Sequence, residues 1–492
     1  MRPARQLEAL RRRRVPAWWS DAKVGVFVHW TPASVAGWAP VDSQIGDLLA
    51  AGRPDALAET PYTEWYENSL RFPNSSVSRH HREAWGATPY ADFAGAFEAG
   101  LESWDPDDWA RRFRATGARY VVMVAKHHDG YCLWPSNVAN PGRPGWHTRR
   151  DVVGELREAV LAEGMRFGVY YSGGLDWTFD ARPIGNLGDL LAAIPRGAYP
   201  AYADAQVREL VDRYRPAVLW NDIAWPAQRG PLWRLMADYY AAVPDGVLND
   251  RWMPWSPAMG AARFGPVRRL ADAANARLTR SQKGLIPPKP PHFDVRTPEY
   301  VVFDDVQADP WECVRGMDQS FGYNRNSGPG HFLAPDGLVE MLADIVAKGG
   351  NLLLNVGPRG EDASIPEEQA TLLESLGTWS TGPGTSVFGS RPWVRPSARD
   401  DQGRELRFWA RDNHLWASVL ATVVAGAEVT VPGVSPSPTT EVADHSGASL
   451  RWEAVPEGIR VTTRSLADRP VLELRDVVAV TARRAPPPRP PR

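Results

Sequence analysis

Short apolar runs recur along most of this chain, and they end abruptly in polar or ionisable residues. Residues 24–28 stop at His29, 120–124 lead into Lys126-His127-His128-Asp129, and 167–171 run into Ser172-Gly173-Gly174. Residues 217–220 end at Asn221-Asp222, and 246–248 at Asn249-Asp250-Arg251. Three weaker runs, 300–303, 320–323 and 352–354, bring the count of expected strands to eight. Between several of them lie helix-like stretches: 104–115, with Pro106 in a first-turn position, and 151–163, with apolar Val153, Leu156, Val160 and Leu161. Strands alternating with helices imply a parallel sheet covered by helices. Eight such units predict an α/β fold, a (β/α)8 TIM-like barrel, whose chemistry gathers at the C-terminal ends of the strands. That is where this sequence concentrates its His, Asp, Asn and Arg residues. An open doubly wound sheet would want a glycine-rich turn after the first strand, and Val28-His29-Trp30-Thr31-Pro32 is not one.

A barrel of this kind uses about 250 to 400 residues, so a chain of 492 has room for a second domain. Beyond the helix-like stretch 367–379 and Gly382-Pro383-Gly384, the texture changes to short alternating runs. Residues 406–410 and 415–420 flank Arg411-Asp412-Asn413 as a hairpin. We expect a barrel over 1–383, a C-terminal β-sandwich over 384–484 and a disordered proline- and arginine-rich tail over 485–492. Residues 253–292 break the barrel rhythm and read as an inserted loop. Within it Val267, Leu270, Ala274 and Leu278 share one helical face, which predicts a short helix over the barrel mouth.

The balance of 56 basic against 58 acidic residues gives no field for nucleic acid or an acidic membrane. No stretch supplies the roughly twenty apolar residues of a membrane span. The basic run Arg11–Arg14 is not followed by the apolar core of a signal peptide, so the default location is cytoplasmic. Cys132 and Cys313 cannot form a disulfide framework and are expected as buried thiols. The 22 tryptophans suit the apolar faces of sugar rings as well as a protein core.

Nine segments in order carry a more specific signal: WSDAKVGVFVHW at 19–30, EWY at 64–66, KHHDGYCLW at 126–134, YYSGGLDW at 170–177, WND at 220–222, NDRW at 249–252, RTPEY at 296–300, SFGYN at 320–324 and KGGNLLLNVGP at 348–358. Together they resemble the alpha-L-fucosidases of glycoside hydrolase family 29 over essentially the whole barrel. The resemblance implies a retaining exo-acting alpha-L-fucosidase that works through a covalent fucosyl-enzyme. It makes Asp222 the nucleophile, a role that suits a carboxylate at a strand end. The general acid/base implied by the match at 296–300 is Glu299, with Glu312 and Glu64 as alternatives. His29, Glu64, Trp65, His127, His128, Tyr170 and Arg251 match positions that bind the sugar's hydroxyls, ring or methyl group. Trp220 and Phe321 are expected to line the same pocket.

The implied partner is a fucosylated glycan or oligosaccharide, with no nucleic acid or membrane, and a homo-oligomer is left open. No cofactor is expected. No metal is expected either: neighbouring histidines on a strand point to opposite faces, and Lys126 adds positive charge, so His127 and His128 suit hydrogen bonding to hydroxyls. The chain departs from the family at Thr31-Pro32-Ala33-Ser34, where relatives usually carry a glycine, and in the 253–292 insertion. Activity on alpha-L-galactosides, and a fucose-binding protein without catalysis, are the alternative readings.

Overall fold

The computed structural model describes residues 3–51, 53, 55–279, 284–464 and 466–480. They form two compact units. The first takes in the chain up to Val302 together with Ala308–Leu338 and Gly350–Leu376, and the second Phe303–Gln307, Val339–Gly349 and the chain from Gly377 onward.

The first unit is built on seven parallel strands: β1 (Val24–Val28), β2 (Tyr120–Lys126), β3 (Arg166–Tyr171), β4 (Val218–Asn221), β5 (Val247–Leu248), β6 (Trp311–Arg315) and β7 (Gly350–Val356), in the spatial order β5-β4-β3-β2-β1-β7-β6. Every residue of β1, β2 and β7 is buried, which is why these strands read as unbroken apolar runs rather than alternating ones. Helices cover the sheet. Asp105 caps the helix Pro106–Ala115, accepting hydrogen bonds from the Asp107 and Asp108 N–H groups, and Asp151 caps Val152–Ala162 through Gly154 N–H.

The barrel has an eighth stave that is not a regular strand. The N–H groups of Asp294 and Val295 donate to Leu248 O at 3.0 and 3.2 Å, and on the other side Glu312 N–H donates to Arg296 O at 2.9 Å and Val314 N–H to Pro298 O at 3.0 Å. Parallel bridges pair Arg296 with Trp311 and Glu299 with Val314. Residues 294–299 therefore lie between β5 and β6. Pro298 has no N–H to give the ladder, and Tyr300 adopts a left-handed φ of 54° that ends the run.

The expected eight strands are thus corrected at two places. Residues 300–303 are not a strand, and 320–323 form bends around Phe321 and Gly322. The strand actually used, β6, is interrupted by Glu312 and Arg315 in sequence, yet Glu312 is fully buried and its carboxylate accepts from Tyr120 OH at 2.8 Å. Gly25 allows this: a Cβ there would stand 2.3 Å from the Tyr120 ring. The insertion holds a longer helix than expected, Gly265–Thr279, but Val267 and Leu270 on its predicted inner face are exposed. The helix is tied down by polar contacts instead: Asp272 accepts from Gly188 N–H at 2.7 Å, and Arg268 pairs with Asp189 at 3.0 Å.

The second unit contains an antiparallel β-sandwich. A five-stranded sheet (Arg391–Arg399, Glu405–Arg411, His414–Val419, Val434–Asp444 and Val471–Ala479) and a three-stranded one (Glu428–Pro432, Arg451–Val455 and Gly458–Thr462) enclose a core that includes Leu406, Phe408, Leu415, Val429, Ile459 and Leu472. The expected hairpin forms, and Asp412 takes the left-handed conformation at its turn. The predicted disordered tail falls outside the described residues. Among the described residues no helix is long and apolar enough to cross a membrane.

Candidate active site

A cavity of about 630 Å³ opens in the first unit and is lined by all eleven residues singled out from the sequence: His29, Glu64, Trp65, His127, His128, Tyr170, Trp220, Asp222, Arg251, Glu299 and Phe321. They come from the ends of β1 to β4, from the segments after β5 and β6, from the eighth stave and from the 3-10 turn Thr63–Trp65. Gathering at one end of the sheet is what a parallel barrel imposes on residues that follow its strands.

Asp222 follows β4 directly. One carboxylate oxygen accepts from Tyr170 OH at 2.8 Å, and the other from Arg251 at 3.1 Å and from Ile223 N–H at 2.8 Å. His128 Nε2 stands 3.8 Å from the first of these oxygens. Ile223 has a φ of 69°, a strained conformation for a β-branched residue. Gly174 makes room for this turn, since a Cβ there would come within 2.9 Å of Ala224 N and the Ile223 side chain.

Arg251 also reaches Glu299, at 2.6 Å, so one guanidinium holds both carboxylates. The cation lies over the Trp220 ring, 4.7 Å from its centroid, and Trp220 stacks on Tyr170. Tyr62 OH donates to the second oxygen of Glu299 at 3.2 Å. Burial pushes the Glu299 carboxyl above its ordinary range, with Arg251 opposing and Asp222 reinforcing the shift. Glu64 is pushed up to about 8, chiefly by burial, although its carboxylate accepts from Gly322 N–H at 3.0 Å.

The three histidines are held neutral. Burial lowers His29 and His128 to about 4 and His127 well below its ordinary value. Asn355 Oδ1 lies 2.6 Å from His29 Nδ1, and Ser172 Oγ 2.7 Å from His128 Nδ1. His127 stacks on Tyr170 with its Nδ1 buried and unpartnered, so it keeps a hydrogen-bonding atom in reserve. The expectation that His127 and His128 point to opposite faces is not met: both line the cavity, with ring centroids 4.1 Å apart. They lie just past the end of β2, where strand alternation no longer applies.

The alpha-L-fucosidase family model matches residues 4–384. The chain belongs to the alpha-L-fucosidase family. Among its relatives, an alpha-L-fucosidase of Branchiostoma floridae is 30% identical over 466 residues, covering 91% of this chain and 88% of that one. The tissue alpha-L-fucosidase of Rattus norvegicus is 28% identical over 83% of this chain and 77% of its own. In three dimensions the Thermotoga maritima alpha-fucosidase bound to a mechanism-based inhibitor superposes with a TM-score of 0.78 and 37% identity, over 95% of this chain and 98% of that one. The same enzyme in complex with fucose gives 0.77 and 36%, over the same shares. This chain is a glycoside hydrolase with alpha-L-fucosidase activity.

Against this identity, sequence reasoning missed residues that orient the others. Tyr62, two positions before Glu64, is bonded to Glu299, and Asn355 and Ser172 position the histidines. Both Asn355 and Ser172 lie inside segments already matched to the family, so the signal was present without its geometry. Of the three acid/base alternatives, Glu64 and Glu299 line the cavity, whereas Glu312 does not. His29, Glu64 and His127 bring donor atoms within 4.8 Å of one another and could receive an ion. The same atoms suit sugar hydroxyls, because neutral imidazoles and a carboxyl pushed up to about 8 offer both donors and acceptors.

Proposed function

We propose that the enzyme is exo-acting and hydrolyses alpha-L-fucosides with retention, through a covalent fucosyl-enzyme. The observation that carries this reading is the pair of carboxylates, Asp222 and Glu299, held by the single guanidinium of Arg251 inside one cavity. In the first step a carboxylate oxygen of Asp222 attacks C1, the bond from C1 to the leaving oxygen breaks, and Glu299 gives that oxygen its proton as the alcohol departs. In the second step water attacks C1, its proton passes to Glu299, and the bond to Asp222 breaks to release L-fucose. Burial of Glu299 beside Asp222 supports its holding a proton for the first step. Tyr170 and Arg251 orient Asp222 and offset its charge.

His29, Glu64, His127 and His128 supply a neutral polar wall for the sugar hydroxyls, and Trp65, Trp220 and Phe321 an apolar one for the ring and its C6 methyl group. The substrate class is a fucosylated glycan or other alpha-L-fucoside.

The test is hydrolysis of an aryl alpha-L-fucoside by wild type and Asp222→Ala, with NMR of the first-formed anomer. Wild type should release alpha-L-fucose. The variant should lose at least ~4 kcal/mol of transition-state stabilisation, about a thousandfold in rate. Near-wild-type turnover by the variant, or beta-L-fucose as the first product, overturns the mechanism.

A further inference from the structure

The cavity is chemically divided, and its outer wall is built for something other than a sugar. Ile223 follows Asp222 directly. Leu285 is fixed beside Glu299 by two backbone hydrogen bonds, Leu285 N–H to Glu299 O at 3.1 Å and Glu299 N–H to Leu285 O at 2.8 Å. Ile286 continues this wall, and Leu187, Leu190 and Met253 line the cavity with it. All six are only half-buried, so their apolar surface is available to a ligand.

The charged groups of the same lining are already engaged. Arg296 pairs with Asp250 at 2.6 Å and also donates to Pro287 O at 3.0 Å, while the other oxygen of Asp250 accepts from the N–H and hydroxyl of Thr297. Lys289 pairs with Asp309 at 2.6 Å. A second sugar ring laid against these six side chains would turn its hydroxyls toward leucine, isoleucine and methionine rather than toward hydrogen-bonding groups.

Position decides what this wall receives. The group that protonates the glycosidic oxygen stands next to the departing alcohol, and the apolar residues adjoining Glu299 and Asp222 in the lining are Leu285, paired to Glu299 through the backbone, and Ile223, next in the chain. We infer that the outer half of the cavity is an aglycone site for an apolar alcohol, and that the preferred substrates are fucosides of lipid- or terpenoid-like alcohols rather than fucosylated oligosaccharides. This rests on the fucosidase reading and adds the leaving-group class to it.

The experiment compares kcat/KM for methyl, octyl and menthyl alpha-L-fucosides and for a fucosyl-lactose, below the micelle threshold of the octyl compound. Methanol and octanol are leaving groups of similar acidity, so their ratio reports binding of the chain. Each methylene taken from water is worth about fourfold, and burial of only three of the seven extra methylenes predicts at least a thirtyfold preference for octyl over methyl, with the fucosyl-lactose no better than methyl. The menthyl compound separates a ring-shaped alcohol from a linear one, and a thirtyfold gain by either upholds the inference. Leu190→Ser and Leu285→Ser should each reduce the octyl-to-methyl ratio at least threefold. The wild-type comparison stands alone if a variant does not fold. Octyl and menthyl rates equal to methyl, or a faster fucosyl-lactose, overturn the inference while leaving the fucosidase reading intact. Failure to hydrolyse any fucoside overturns both.

Discussion

Replacing Glu299 by Gln tests the acid/base role proposed for it against its neighbour Glu64, with leaving-group chemistry as the variable. Glu299 Oε1 is 2.6 Å from Arg251, and Tyr62 OH donates to Oε2 at 3.2 Å. Glutamine keeps the shape: its amide oxygen can still accept from Arg251 and its NH2 can donate to the Tyr62 hydroxyl, so the substitution removes the transferable proton while leaving the surroundings in place. Positioned proton transfer contributes about 10²- to 10⁴-fold, or about 3 to 5 kcal/mol of barrier. An alkyl fucoside, whose alkoxide leaves poorly, should lose that whole factor in kcat/KM. A dinitrophenyl fucoside needs no protonation to depart and should lose less than tenfold in the first step. Its fucosyl-enzyme then lacks a base to activate water, so a burst of phenolate should precede a slow steady state. Azide, which needs no base, should speed the second step and yield fucosyl azide of retained configuration. The assay is stopped-flow release of the phenol alongside steady-state rates on both substrates. Equal losses on the two, or the same leaving-group dependence on replacing Glu64 instead, would refute the assignment.

Two further expectations follow from buried charge. Lys126 and Asp176 form an ion pair at 2.8 Å with both side chains wholly buried, so Asp176→Asn should strand the ammonium and destabilise the fold by about 3 to 5 kcal/mol. Thermal unfolding followed by circular dichroism would show a lowered Tm, and an unchanged Tm would mean that the pair is not a structural tie. Glu64 is raised from an ordinary 4.5 to about 8, so between those values the folded state binds a proton that the unfolded chain has released, and stability falls as pH rises. Relative to wild type, Glu64→Gln should therefore gain about 3 kcal/mol between pH 5 and pH 8, read from denaturant titrations at the two pH values; a difference independent of pH refutes this.

Much of the barrel was legible because its strands are buried on both faces. β1, β2 and β4 are apolar runs that lead into residues lining the cavity, and β3 contributes Tyr170 from within its run, so strand position and site position came from one pattern. β6 was not legible, because a strand carrying Glu312 does not look like a core strand until Tyr120, delivered across the barrel over Gly25, is seen to satisfy it. The insertion was misread for the complementary reason: helical periodicity at Val267 and Leu270 suggested a packed face, whereas the contacts that hold the helix are made by Arg268 and Asp272. Asn355 illustrates a third limit. Its place in a matched segment was visible, but its partnership with His29, 326 residues away in sequence, is a property of β1 and β7 being neighbours.

The eighth stave shows why the least regular part of the barrel is also where Glu299 sits. A regular strand over 294–299 would alternate its side chains and run on past its neighbours. Instead Pro298 withholds a donor and Tyr300 turns left-handed, so pairing stops at Glu299 just as its side chain enters the cavity. The backbone of that same residue is occupied by Leu285, arriving from the insertion. Glu299 is thus held between the barrel on one side and the insertion on the other. Changes in the insertion can alter which alcohol lies against Leu285 without moving the groups that hold Asp222, because those come from β3, β4 and the segment after β5. Local departure from strand pattern, which made this stretch hard to read, is what lets one carboxylate face the groups that hold Asp222 and the wall built by the insertion together.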